Sequence, residues 1–166
     1  MILLITGGAR SGKSSYAERR VAELPGRPCY IATAEIFDVE MAERVALHRS
    51  RRGPEWREHE APIDLLAALT QTDGEGPRLV DCVTLWLTNL MLVERDWQAD
   101  LAALLNGLHL QSSPVIFVTN EVGLGIVPDN PLARAFRDAA GIVNQALAAS
   151  ADEVQFVVSG LPMKVK

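Results

Sequence analysis

The first fourteen residues constrain this chain more than any other stretch. Four apolar β-formers, Ile2-Leu-Leu-Ile5, run without interruption and stop at Thr6-Gly7-Gly8. An unbroken run of that kind suits a strand covered on both faces in a parallel sheet. The next segment, Gly7-Gly8-Ala9-Arg10-Ser11-Gly12-Lys13-Ser14, fills every fixed position of G-x-x-x-x-G-K-[ST]. Glycines let the backbone curl so that several N–H groups face one anion, and the helix beyond them offers its positive dipole end. Lys13 is then placed to reach the β- and γ-phosphates of a nucleotide, and the Ser14 hydroxyl to ligate Mg²⁺. Strand, glycine loop and helix in that order predict a phosphate-binding α/β chain.

Later segments keep the alternation. A helix is expected from Lys13 to just before Pro25-Gly26, and a strand at Cys29-Tyr-Ile-Ala32. Asp38 is placed to cap a helix that turns Met41, Ala42, Val45 and Ala46 inward and frays near Arg52-Gly53-Pro54. Ile63–Gln71 reads as a helix, Leu79–Thr84 as a central strand, and Leu85–Leu110 as two helices broken near Asp96. Val115–Thr119 is a further strand, and Asn120–Pro131 a long loop with two glycines and two prolines. A helix from Leu132 to Ala149 carries Leu132, Ala135, Phe136, Ala139, Val143 and Leu147 on one face, and Val154–Val158 is the last strand. Strands alternating with helices imply an α/β fold with a mostly parallel sheet flanked by helices. With 166 residues and no linker or repeat, residues 1–166 read as a single domain.

Composition narrows the function classes. Net charge is −5 and aromatics are 5%, which argues against a nucleic-acid binder. Cys29 and Cys82 lie in apolar runs without metal-ligand spacing, so both are expected to be buried free thiols. The longest apolar region, Leu79–Val93, is interrupted by Asp81, Thr84, Thr88 and Asn89, short of the ~18 residues of a transmembrane segment. A cytoplasmic location is expected.

Two further features carry chemistry. Asp81 sits inside Leu79-Val-Asp-Cys-Val, where a carboxylate at a strand end could hold a divalent metal; a helix-capping role is the alternative. Residues 44–57 hold Arg44, Arg49, Arg51, Arg52 and Arg57 against the single acid Glu55. On helical spacing Arg44, His48 and Arg52 share a stripe. Guanidinium forks gather phosphate oxygens, and neighbouring positive charge keeps an imidazole neutral and nucleophilic. A solvated charged face is the bland reading of the same residues.

Taken in order, these segments resemble a known family. The matching residues are Gly7–Ser14, Tyr30-Ile-Ala-Thr-Ala34, Glu40-Met41, Arg44 leading to His48, and Trp56 with Glu60. They continue with Asp81-Cys-Val-Thr-Leu-Trp-Leu-Thr-Asn-Leu90, Thr119-Asn-Glu-Val-Gly-Leu-Gly-Ile-Val-Pro128, Phe136-Arg-Asp138 and Asn144-Gln145. The series resembles the bifunctional adenosylcobinamide kinase/adenosylcobinamide-phosphate guanylyltransferase family of cobalamin biosynthesis.

The resemblance implies a P-loop NTPase fold of the RecA-like kind, a homo-oligomer, and two reactions. A nucleoside triphosphate, ATP or GTP, phosphorylates the corrinoid adenosylcobinamide. GTP then guanylylates a histidine, and the GMP passes to adenosylcobinamide phosphate. The histidine's match is His48, with Lys13 the other catalytic residue. Matches to nucleotide contacts are Gly7, Gly8, Ala9, Arg10, Ser11, Gly12, Lys13, Ser14, Thr33, Ala34, Glu35, Arg49, Ser50, Arg51, Arg52, Glu60 and Asp81, with Ser14 and Asp81 as metal ligands. The alternatives are a P-loop kinase with another small acceptor and a nucleotide-binding regulatory module without turnover.

Overall fold

The chain's computed structural model describes residues 1–35, 46, 49 and 52–166. Among these, strands β1 (Ile2–Gly7), β2 (Cys29–Ala32), β3 (Arg57–Glu60), β4 (Arg78–Asp81), β5 (Val115–Asn120), β6 (Glu153–Val158) and β7 (Leu161–Lys164) form one sheet. Its order is β3-β2-β4-β5-β1-β6-β7, and every pair is parallel except β6–β7. The helices are α1 (Lys13–Ala22), α2 (Leu65–Gln71), α3 (Val83–Leu92), α4 (Trp97–Leu108) and α5 (Pro131–Ser150).

The apolar runs lie where two-sided burial demands them. Alternate residues of β1, β4 and β5 feed two cores. Leu3, Ile5, Leu79, Ile116 and Val118 pack with Ala17 and Val21 of α1 on one face. Leu4, Val80 and Phe117 pack with Trp86, Leu90, Leu104, Val143 and Leu147 of the other helices on the opposite face. Trp86 resolves its one polar atom by donating Nε1–H to the Ile63 carbonyl at 2.7 Å. Deleting a side chain such as the fully buried Leu4 or Leu90 would cost about 2–5 kcal/mol.

Two strands escape the apolar pattern. β3, Arg-Glu-His-Glu, contains no apolar residue and forms at one edge, where β2 supplies its backbone partners. β7 is the opposite edge and follows the left-handed turn at Ser159-Gly160. The apolar run from Leu79 is also divided differently from expectation. β4 stops at Asp81 and Val83 already opens α3, because the inward periodicity changes from two to 3.6 there. Of the stripe expected on α5, Ala139, Val143 and Leu147 are buried, while Leu132 and Ala135 in its first turns lie beyond the core and are exposed. Ala46, expected to face inward, is helical and exposed. Met41, Ala42 and Val45, the other inward positions expected on the Asp38-capped helix, lie outside the described residues. Both cysteines are buried and free. No helix among the described residues is long and apolar enough to cross a membrane.

Candidate active site

In a parallel sheet the carboxyl ends of the strands share one edge, the usual place for a ligand crevice. Here Gly7 stands level with Asn120, and Ala32 is flanked in register by Asp81 and Glu60. Gly7, Asp81 and Glu60 are thereby brought to one edge from strands far apart in sequence.

The glycine loop bridges β1 and α1 across that edge. A Cβ on Gly7 would meet the Val157 carbonyl oxygen at 2.5 Å, so only glycine allows β1 and β6 to approach there. Gly12, at φ +91°, is the N-cap of α1 and makes no side-chain cap, which leaves the first helical amides for an anion. Arg10 occupies the left-handed region at φ +56°. The turn is closed by Ser11 N–H donating to the Gly8 carbonyl, and fastened to the far hairpin by Gly160 N–H donating to the Ser11 carbonyl at 2.8 Å.

Lys13 is buried, and its Nζ donates to the Gly8 carbonyl at 2.9 Å. Burial lowers its pKa, while the Asp81 charge pulls it the other way. That opposing pull puts the β4 carboxylate within electrostatic reach of the loop lysine. Asp81 lies next to the Tyr30 hydroxyl, and burial, then the Asp81 charge, hold that phenol far above its ordinary pKa. Ser14 is half-buried in the first turn of α1. A serine hydroxyl and a carboxylate are hard oxygen donors, and with phosphate oxygens and water they suit Mg²⁺. Among the described residues there is no cluster of three His, Cys, Asp or Glu suited to a metal. The neighbouring Cys82 thiol is pushed up to about 12 by burial, so it stays protonated.

The other expected contacts fall into three groups. Thr33 is fully buried: its hydroxyl donates to the Cys82 carbonyl at 2.7 Å and accepts from Cys82 N–H at 2.8 Å. It locks the end of β4, and Asn89 Nδ2 fastens its carbonyl at 2.8 Å. Ala34 and Glu35 come after β2 at the same edge, half-buried. Arg49 and Arg52 converge on one acid: Arg49 Nε and Arg52 Nη2 each lie 2.8 Å from Glu58. The Arg52 guanidinium also sits 3.5 Å over the Tyr30 ring, with Glu18 at 3.9 Å. No pattern in the sequence assigns Tyr30, Glu58 or Glu18 a part in the site, because each meets its partners only across separate elements of the fold. His48, Ser50 and Arg51 lie outside the described residues.

Comparison with known proteins gives this geometry a family. The sequence profile of cobinamide kinase / cobinamide phosphate guanyltransferase (CobU) matches residues 3–165. The chain belongs to this family. It is 48% identical to the bifunctional adenosylcobalamin biosynthesis protein CobP of Pseudomonas aeruginosa, over 98% of this chain and 96% of that one. It is 42% identical to the corresponding CobU of Salmonella typhimurium, over the whole of both. Solved structures share the fold at low identity. The flagellar accessory protein FlaH of Methanocaldococcus jannaschii gives a TM-score of 0.56 at 13% identity, covering 99% of this chain and 77% of that one. A type III secretion ATPase gives 0.62 at 11%, covering 98% and 56%. The cobinamide kinase/guanyltransferase chain thus has a P-loop NTPase fold, a RecA-like parallel sheet with its phosphate loop after β1.

Proposed function

We propose that this chain performs both reactions of its family, phosphorylating adenosylcobinamide and then guanylylating the product through His48 to give adenosylcobinamide-GDP. The observation that carries the reading is Lys13, held between the Gly8 carbonyl and the charge of Asp81 at the carboxyl edge of the sheet. A cation there meets the β- and γ-phosphates of a nucleotide cradled by Gly7–Ser14.

In the first reaction the γ-phosphoryl group passes to the corrinoid's hydroxyl. In the second, an imidazole nitrogen of His48 attacks the α-phosphorus of GTP and pyrophosphate leaves. An oxygen of adenosylcobinamide phosphate then displaces the imidazole from the same phosphorus. Splitting the transfer in two lets one phosphate loop serve both steps. Ser14 and Asp81 would hold a divalent cation such as Mg²⁺, which when bound neutralises charge on the phosphates. Arg49, Ser50, Arg51 and Arg52 come directly after His48 and would supply further phosphate contacts, with Thr33, Ala34, Glu35 and Glu60 shaping the edge. The reading takes residues 1–166 as one nucleotide-binding and transferase domain, a cytoplasmic homo-oligomer with no nucleic-acid partner.

Incubation with GTP labelled at the α-phosphate tests it. The expected result is an acid-labile, alkali-stable label on the protein, with release of pyrophosphate, and loss of the label in His48→Ala. A label that survives this substitution, or no label at all, overturns the covalent step. A kinase with another acceptor would transfer only γ-phosphate, and a regulatory module would bind nucleotide without consuming it.

A further inference from the structure

A cavity of about 350 Å³ opens beside the phosphate loop, on the side of β6 rather than of Asp81. Gly8, Ala9, Arg10 and Ser11 form one wall, while Leu124 and the segment 156–159 form the others. Glu121 is the one carboxylate among its lining residues. The strand register explains its placement. Asn120 ends β5 opposite Gly7, and Glu121 N–H donates to the Gly7 carbonyl at 3.0 Å, so the acid directly adjoins the first glycine of the loop.

That position is held from several directions. Asn120 N–H donates to Thr84 Oγ1 at 2.8 Å, and Asn144 Nδ2 donates to the Asn120 carbonyl at 3.2 Å. Arg137 of α5 holds the Gly123 carbonyl at 2.5 Å, and the Glu121 carboxylate itself accepts from Gly123 N–H. A carboxylate fixed on a strand end beside a phosphate cradle has the placement that general-base catalysis asks for.

We propose that this cavity receives the hydroxyl-bearing arm of the acceptor, and that Glu121 is the general base of the phosphorylation step. The inference rests on the kinase half of the function proposed above and adds to it a catalytic residue and an acceptor site. The cavity is far too small for a corrin ring but admits a short aliphatic arm along Leu124, Phe156 and Val158. The acceptor's O–H proton passes to a Glu121 carboxylate oxygen as the alcohol oxygen bonds to the γ-phosphorus. The bond from that phosphorus to the β–γ bridging oxygen breaks, and its electron pair leaves with the nucleoside diphosphate. Glu121 then returns the proton to water. The guanylyl transfer has no such requirement, because its incoming nucleophiles are a neutral imidazole and an already ionised phosphate. Glu121 therefore separates the two reactions that Lys13 joins.

The test compares wild type with Glu121→Gln, whose amide oxygen can still accept from Gly123 N–H. Phosphorylation is measured with γ-labelled ATP and adenosylcobinamide; self-labelling is measured with α-labelled GTP and no acceptor. The ratio of phosphorylation kcat to labelling rate is expected to fall about 10²–10⁴-fold, with KM for ATP unchanged. Val158→Trp, which fills the cavity, is expected to raise KM for adenosylcobinamide at least tenfold at constant KM for ATP. An unchanged ratio in Glu121→Gln overturns the inference alone, as does a parallel loss of both activities, the mark of a merely structural acid. A wild-type protein that labels but never phosphorylates overturns the kinase reading, and this inference with it.

Discussion

Two cationic groups near the same sheet edge are held in opposite ways. Lys13 bonds to its own loop, through the Gly8 carbonyl, five positions away. A carbonyl is a neutral partner, so this bond leaves the ammonium charge uncompensated by the loop itself. Arg49 and Arg52 instead both rest on the Glu58 carboxylate, and Arg52 lies flat on Tyr30 with little exposure. Their charge is already countered. On the proposed function the loop is a preorganised anion site, whereas the arginines would reach a phosphate only by exchanging one anion for another.

Removing the preorganised cation is the harshest way to break this contrast. Lys13→Ala should lower both phosphorylation and self-guanylylation by about 10³-fold or more, since stabilisation of the same phosphates is common to them. Parallel kinetic assays with ATP and GTP check this. Guanylylation that persists while phosphorylation fails would mean that GTP has a second site.

A smaller effect is expected one step behind the loop. Tyr30→Phe deletes the hydroxyl that adjoins Asp81 but keeps the ring beneath Arg52. Loss of such a supporting neighbour of a ligand weakens a metal site about 10–100-fold. The Mg²⁺ concentration for half-maximal phosphorylation should rise by that factor, and saturating Mg²⁺ should restore most of the rate. A rate that stays low at saturating Mg²⁺ would assign Tyr30 a different role.

The same contrast explains what could be read from the sequence. The loop, its strand and α1 are contiguous, so G-x-x-x-x-G-K-S after Ile2–Ile5 displays the whole unit, and the apolar periods of β4, β5 and α5 display its supports. Asp81 is visible as an acid inside an apolar run. The Glu58 clamp is not visible: β3 has no apolar residue, and its strand character comes from β2 alone. Thr33 shows the converse. Its place in a family motif suggests a nucleotide contact, yet its hydroxyl is spent on the backbone of Cys82, which only the packing of β2 against β4 reveals. Glu121 lies within a recognisable loop, but only the register of β5 with β1 sets it beside Gly7.

The clamp itself can be sharpened by removing its anion. Glu58→Gln keeps the shape and withdraws the charge that competes with phosphate for Arg49 and Arg52. GTP affinity measured by calorimetry should rise about threefold to fivefold, the scale of one partly exposed ion pair. The melting temperature should fall in the same variant, because Arg52 is left buried without its carboxylate, and added GTP should recover more of it than in wild type. Unchanged affinity would show that these arginines serve the fold alone.

Acid provides the mildest version of that experiment. Hydrogen bonding from Arg49 holds the Glu58 carboxyl below its ordinary 4.5, opposed by partial burial and reinforced by Arg52. A carboxyl with a depressed folded-state pKa stabilises the native state fully above its unfolded value, and that contribution disappears as pH falls through the folded one. The melting temperatures of wild type and Glu58→Gln should therefore differ by a constant amount from neutral pH down to about pH 5. Below that the difference should shrink, and it should vanish once Glu58 is protonated. Raising ionic strength at pH 7 should shrink it only in part, because Arg52, 4% exposed, is poorly screened while Arg49, 62% exposed, is screened well. A gap that persisted unchanged into acid would mean that the Gln variant loses packing rather than charge, and the arginines' exchange of one anion for another would lose its basis.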